Sequence, residues 1–129
     1  QGDGIVVSLG CTIRDCTVRA NKTDGIEATA GCVISENNCD TNGNGGDGAG
    51  INLIAGANRI ESNQVISNDR GIDSNPGTGN LIIKNTARGN TTNYDIVAGN
   101  AFGPIVNVAG AGDISGIAAA SHPWANFAY

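Results

Sequence analysis

An internal repeat constrains this chain more than any other feature. Four Gly-Ile pairs, beginning at Gly4, Gly25, Gly50 and Gly71, recur at intervals of 21, 25 and 21 residues, and similar strings of small, β-branched and Asn residues follow each of them. A fixed period of about 20 to 50 residues is typical of a solenoid, in which each unit buries its apolar edge against the next unit. We therefore expect stacked units.

Aligning the units on these pairs predicts three short strands in each. Apolar residues recur two positions apart, and this spacing places them on one face of an extended strand. The predicted columns are Ile5, Ile26, Ile51, Ile72 and Ile96; Ile13, Ile34, Ile60 and Ile82; and Val18, Cys39, Val65 and Ala87. Units of about 21 residues leave no room for a crossover helix. The units are thus expected to stack as parallel strands about 4.8 Å apart.

Asparagine recurs where turns are expected. Two columns occupy these positions: Cys16, Asn37, Asn63 and Asn85, and Asn21, Asn42, Asn68 and Asn90. Asn tolerates left-handed backbone geometry, and stacked Asn amides can bond one another in a ladder. We predict that these residues form two of the corners of each unit, and that the glycine of each Gly-Ile pair serves the third.

The repeat resembles the right-handed parallel β-helix family, the fold of pectate lyases, polygalacturonases and many secreted repeat proteins. The resemblance covers residues 1 to about 108 and implies an all-β, right-handed, single-stranded parallel β-helix of about five rungs. A rung here means one full turn of the chain through its three strands. The resemblance also implies an extracellular location, and it identifies the chain as the C-terminal portion of a secreted repeat protein. An all-β sandwich is the alternative, but it has no reason to repeat identical residues at matched offsets.

The net charge and the cysteine positions limit which partners and which cross-links this chain is expected to have. The net charge of −5 disfavours nucleic acid, because phosphate binding needs a basic stripe. No apolar run reaches the roughly 18 residues of a membrane span. Cys11 and Cys32 lie one rung apart, within the separation that a disulfide allows, although their parallel side chains work against the bond. We expect buried free thiols, with this disulfide as the next alternative.

Two acidic groups are candidate sites. Asp69, Arg70 and Asp73 cluster around the fourth corner and are the nearest approach to an acid and base constellation. Asp3 and Asp24 share a column and could share a cation, so calcium is the one cofactor considered. The resemblance implies that an enzyme would carry several calcium-ligating acids with an arginine base, or aspartate pairs beside Gly-His-Gly. Neither pattern is present, and we expect no catalytic site.

The two ends suggest assembly. The first rung begins by the fourth residue, so Ile5 and Ile13 are expected to need a covering partner. Residues 109–129 form a predicted capping or docking tail, in which Trp124, Phe127 and Tyr129 cover the last rung or enter a neighbouring subunit. The leading expectation is a non-catalytic extracellular structural module that associates with itself. The alternatives are a polysaccharide lyase or hydrolase, and a carbohydrate-binding, tailspike-like adhesin.

Overall fold

The computed structural model describes residues 2–43 and 46–129 and shows an all-β parallel solenoid. The described residues contain strands and turns but no helix, and hence no helix long and apolar enough to cross a membrane. The strands are β1 (Ile5–Leu9), β2 (Thr12–Arg14), β3 (Thr17–Arg19), β4 (Ile26–Ala30), β5 (Val33–Ser35), β6 (Asn38–Asp40), β7 (Ala49–Leu53), β8 (Arg59–Glu61), β9 (Gln64–Ile66), β10 (Arg70–Asp73), β11 (Leu81–Ile83), β12 (Thr86–Arg88), β13 (Thr92–Asp95), β14 (Ala101–Phe102), β15 (Ile105–Asn107) and β16 (Asn126–Ala128).

Each rung gives one strand to each of three parallel sheets. Sheet A has the order β1-β4-β7-β10-β13, sheet B the order β2-β5-β8-β11-β14, and sheet C the order β3-β6-β9-β12-β16-β15. The predicted fold class is confirmed. Sheet C has six layers where about five were expected, because β16 lies between β12 and β15.

The strand register confirms the predicted apolar columns with one exception. Ile26 pairs with Ile51, which pairs with Ile72, and all three side chains are fully buried. The fifth rung was aligned wrongly, since Ile72 pairs with Tyr94 and not with Ile96. No Gly-Ile pair marks this rung. The larger Tyr94 side chain crosses the core, and its hydroxyl lies 2.9 Å from the carbonyl oxygens of Asn85 and Phe127.

Asparagine holds the corners by hydrogen bonding and not by its own backbone geometry. Among the described residues no Asn has a positive φ, so the tolerance of Asn for left-handed geometry is not what places it at the corners. The left-handed residue is the one before each Asn, such as Glu36 before Asn37 and Ser62 before Asn63, with φ of 58° in both. The corner Asn is thereby left free to turn its side chain along the solenoid axis.

The asparagines form three amide ladders. In each ladder a backbone N–H of one rung donates to the Asn Oδ1 of the next rung at 2.8 to 3.2 Å. Two ladders follow the predicted columns, and the third was not predicted. The ladders comprise Asn37, Asn63, Asn85 and Asn126; Asn21, Asn42, Asn68 and Asn90; and Asn58, Asn80 and Asn100. Because most of these amides are buried, their mutual bonding removes a desolvation cost.

The glycine of the repeated Gly-Ile pair is required by close packing between rungs. A Cβ atom on Gly50 would lie 2.8 Å from the Gly71 carbonyl oxygen and 2.8 Å from Asn68 Nδ2. A Cβ atom on Gly71 would lie 2.3 Å from the Asn93 carbonyl oxygen. Any side chain here would therefore force the next rung away.

The tail returns to the solenoid. Strand β16 pairs with β12 on one side and β15 on the other, and its fully buried Asn126 continues an amide ladder by accepting from the Asn85 backbone N–H at 3.0 Å. The pattern Asn126-Phe127-Ala128 repeats Asn85-Thr86-Ala87 in form. Residues 109–124 make this excursion through turns at the surface.

Candidate functional site: a polar groove on sheet A

The outer face of sheet A carries a polar groove with a volume of about 400 Å³. Carboxylates dominate its lining, together with amides and one guanidinium. The lining residues are Asp3, Thr23, Asp24, Glu27, Asp47, Asn52, Arg70, Asp73 and Asn75. We call this feature the sheet A groove.

Two columns of the repeat build the sheet A groove. The position after the buried isoleucine points outward, since side chains alternate along a strand, and its residues pair in the order Glu27, Asn52, Asp73 and Asp95. The position two residues before the isoleucine supplies Asp3, Asp24 and Arg70. Successive rungs thus bring polar side chains from units far apart in sequence into one line.

Arg70 is the centre of an ion-pair cluster in the sheet A groove. Its Nη1 lies 3.1 Å from Asp47 Oδ1 and 3.5 Å from Asp73 Oδ2, and its Nε lies 3.4 Å from Asp95 Oδ2. The hydrogen bond to Asp47, followed by the charges of Asp73 and Asp95, holds the pKa of Arg70 above its usual value. Arg70 therefore stays charged and bridges three carboxylates from three different rungs.

Asp3 and Asp24 each accept a backbone N–H from the following rung. Asp3 Oδ1 accepts from the Asp24 N–H at 2.9 Å and from the Thr23 hydroxyl, and these bonds lower the pKa of Asp3. Asp24 Oδ1 accepts from the Ala49 N–H at 2.7 Å, and its Oδ2 accepts from Asn52 Nδ2 at 2.8 Å. Both carboxylates thus have protein donors that hold them in place.

Three carboxyl groups of the sheet A groove have raised pKa values. Burial is the main cause for Asp24, Asp73 and Glu27, because removal from water disfavours the charged form. The neighbouring charges of Asp3 and Asp24 add to the effect at Glu27. A bound cation would reverse these shifts, since positive charge favours the ionised carboxylate.

The sheet A groove contains acceptors that the protein leaves unused. Asn52 Oδ1 is buried and has no hydrogen-bond partner. Glu27 makes neither a salt bridge nor a side-chain hydrogen bond with the residues that the structure describes. A buried acceptor without a partner, such as Asn52 Oδ1, is uncommon in native proteins. The half-buried Glu27 carboxylate is the one of the two that a donor from outside the chain can reach.

The structure brings the two candidate acidic groups of the sequence into one groove, but it leaves one of their residues outside. Arg70 and Asp73 line the sheet A groove together with Asp3 and Asp24, whereas Asp69 lies outside it and accepts from the Gly46 N–H at 2.7 Å. Sequence reasoning missed Glu27, Asn52 and Asp47. The first two were detectable, because the position after each isoleucine is polar in the second, third and fourth units.

The residues predicted for assembly occupy different environments. Ile13 is buried and Ile5 half-buried, both in the first rung. Phe127 lies within β16, and the ring centroid of Tyr129 lies 5.5 Å from the Arg88 guanidinium carbon. Trp124 keeps 56% of its surface exposed.

Among the described residues, the cysteines form no disulfide and the potential metal ligands form no cluster. Cys11 and Cys32, considered as a disulfide, are both free thiols in the structure, as are Cys16 and Cys39. Burial raises the pKa of Cys39 to about 12, so this thiol stays protonated. Among residues 2–43 and 46–129, no group of three or more His, Cys, Asp or Glu side chains is arranged to hold a metal ion. The longer interval of 25 residues between Gly25 and Gly50 reflects an insertion at residues 42–49, of which residues 44 and 45 lie outside the described residues.

Comparison with known proteins finds no relative of this chain. No protein-family model matches the chain, and no curated protein or solved structure is significantly similar to it.

Proposed function

We propose that this chain is a non-catalytic extracellular module of the pectate-lyase-like, right-handed β-helix kind, and that its sheet A groove binds a cationic polysaccharide. One observation carries the proposal: five carboxyl groups and a single guanidinium line the groove among the described residues. Clefts lined by charge of one sign concentrate ligands of the opposite sign. An amino-sugar polymer supplies positive charge together with hydroxyl groups that can donate to carboxylate and amide oxygens.

The direction of the groove favours a repeating ligand. Its polar residues come from successive rungs, which lie about 4.8 Å apart in a parallel sheet. A polymer lying along the solenoid axis would therefore meet similar groups at regular steps. The unpaired, half-buried Glu27 carboxylate is an acceptor open to its ammonium and hydroxyl donors.

The hydrogen bonds and the ion pair that already occupy Asp24 and Asp73 favour a binding function over hydrolysis or β-elimination. Both oxygens of Asp24 already accept hydrogen bonds from the protein, and Asp73 accepts from the Asn75 N–H at 2.8 Å while it faces Arg70. A general acid or base must exchange protons with the substrate, and these contacts restrain both groups. An acidic polysaccharide, the substrate class of pectate lyases, would also meet repulsion from the groove.

We expect Glu27→Gln to weaken binding of a glucosamine oligosaccharide about tenfold, which corresponds to about 1.4 kcal/mol. The substitution removes one charge and keeps the shape of a side chain that supports no other described contact. Isothermal titration calorimetry at low salt would measure the affinity, and added salt should weaken it by screening.

The matched control is Glu36→Gln, which removes an exposed carboxylate that pairs with Arg14 outside the groove. Its affinity should equal that of the wild type. Equal binding of glucosamine and galacturonate oligosaccharides would refute charge selection by the groove. Calcium added alone should give no heat at the groove if the ligand is organic.

Self-association is a second candidate function, favoured by apolar side chains on the outermost strands. Val6 and Leu9 of β1 are 61% and 69% exposed, and Phe102 and Ile105 at the opposite end are 50% and 42% exposed. Unpaired strand edges can pair with another chain. Only Asn21 among the three ladder positions of the first rung carries an amide, since Cys11 and Cys16 occupy the others. We therefore expect reversible association.

The average mass from light scattering should rise with the concentration of the 129-residue chain. Leu9→Lys should abolish the rise, whereas Ile54→Lys, on the side of the third rung, should leave it unchanged. A constant monomer mass would exclude this role, and a fixed threefold mass would indicate a closed trimer instead of an open filament.

A further inference from the structure

We infer that Trp124, Leu81, Ile83 and Arg59 form a second binding site, which holds the apolar face of one neutral pyranose ring. We call it the Trp124 platform. It lies against the outer face of sheet B and encloses a volume of about 130 Å³. The inference stands on residues that do not line the sheet A groove, so it is independent of the function proposed above.

The Trp124 indole is exposed although its backbone is tightly anchored. The Trp124 N–H donates to His122 Nδ1 at 3.2 Å, and its carbonyl oxygen accepts from the Lys84 N–H at 3.4 Å. Ala125 and Asn126, which follow, are buried in the solenoid. A Cβ atom on Gly103 would lie 1.7 Å from the Trp124 carbonyl oxygen, so glycine permits this close contact.

This anchoring makes the indole a preorganised surface. The His122 ring lies edge-on to the indole, with centroids 6.0 Å apart and an interplanar angle of 66°. An aromatic ring has few torsions to restrict, so binding against it carries a small entropic cost. A ring held only for packing would be expected to bury its surface, whereas Trp124 is 56% exposed.

The floor and the rim of the platform differ in chemistry. Leu81 and Ile83 flank the inward-facing Ile82 in β11, so their side chains form an apolar floor on the outer face of sheet B. On the neighbouring rung, Glu61 accepts from Arg59 at 2.7 Å and from Lys84 at 2.8 Å. These two cations and one carboxylate form a rim that keeps one net positive charge.

That combination fits a pyranose ring better than a peptide or a lipid. One face of a pyranose presents C–H groups, which stack against an indole, while its edge presents hydroxyls that both donate and accept. Such hydroxyls can join the Arg59, Glu61 and Lys84 network at either sign of charge. The platform is too short for an amphipathic helix, which needs a groove along several turns.

The chain contains one tryptophan, so intrinsic fluorescence reports directly on the platform. Neutral β-1,4-linked glucose oligosaccharides should change the Trp124 emission in a saturable manner, with a dissociation constant on the order of 1 mM. Glu61→Gln should weaken this response at least fivefold, because it removes the negative charge that holds Arg59 and Lys84 in place. Asp40→Asn, which removes a carboxylate that pairs with Arg19 on sheet C, should leave the response unchanged.

Unchanged emission with every neutral oligosaccharide tested would overturn the inference. So would an equal response from wild type and Glu61→Gln, because quenching would then be independent of the rim. Failure of this site is distinguishable from failure of the sheet A groove, since calorimetry with glucosamine oligosaccharides reports on the groove and Trp124 fluorescence reports on the platform.

Discussion

Gly50→Ala is expected to lower the free energy of unfolding by about 1–3 kcal/mol, the usual cost of forcing an extra methyl group into a packed interior. The new Cβ would lie 2.8 Å from the Gly71 carbonyl oxygen, and the nearby Asn68 belongs to a buried amide ladder. Neither neighbour is the free end of a flexible side chain. Sheet A must therefore separate locally, and urea denaturation monitored by circular dichroism would measure the loss.

Gly112→Ala is the matched control for this substitution. No atom lies within 4 Å of a Cβ built on Gly112, and its φ is not in the left-handed region. The same methyl group should leave stability within about 0.5 kcal/mol of the wild type. Equal stability of the two variants would show that the rungs do not approach as closely at Gly50 as the fold requires.

Asn63→Ala is expected to cost about 3 kcal/mol, because it leaves buried polar groups without partners. Asn63 Oδ1 accepts from the Asn37 backbone N–H at 3.0 Å, and Asn63 Nδ2 donates to the Ile34 carbonyl oxygen at 2.8 Å. The residue is 1% exposed, so water cannot replace these bonds without opening the corner. Thermal and urea unfolding would measure the change.

Asn107→Ala provides the comparison, since Asn107 is exposed and its Oδ1 accepts from the nearby Ala109 N–H. It should be close to neutral. Hydrogen exchange adds a local readout: in Asn63→Ala the Asn37 amide should lose protection more than amides of sheet A. Uniform loss across all three sheets would contradict a ladder that acts corner by corner.

The fold was predictable because isoleucine recurs in two of the three buried columns. Ile13, Ile34 and Ile60 identify a stack by identity alone, and no pairing partner has to be guessed. Prediction failed where the residue changed, as at Tyr94, where no Gly-Ile pair marks the rung. Asn126 was missed because 41 residues separate it from Asn85, about twice the repeat.

The candidate site was only partly predictable. Arg70 and Asp73 were grouped because they are close in sequence, and so was Asp69, which the structure places elsewhere. Asp24 was predicted to belong to a different group from Arg70 and Asp73, because the sequence does not show that the two columns line one groove. The ion pair between Asp47 and Arg70 was not predictable, because Asp47 lies in an inserted loop and the repeat does not determine the path of that loop.

The position of β16 has a consequence for the order in which the molecule is completed. Rungs one to four use contacts between neighbouring units, so they can form in sequence as the polypeptide emerges. Sheet C can add its next strand only after Asn126–Ala128 has been synthesised, because that strand lies directly on β12. Closing such a long loop slows folding. We therefore expect β15 and β16, the last two layers of sheet C, to acquire native structure last. Until then, this end of the chain should be open to proteases.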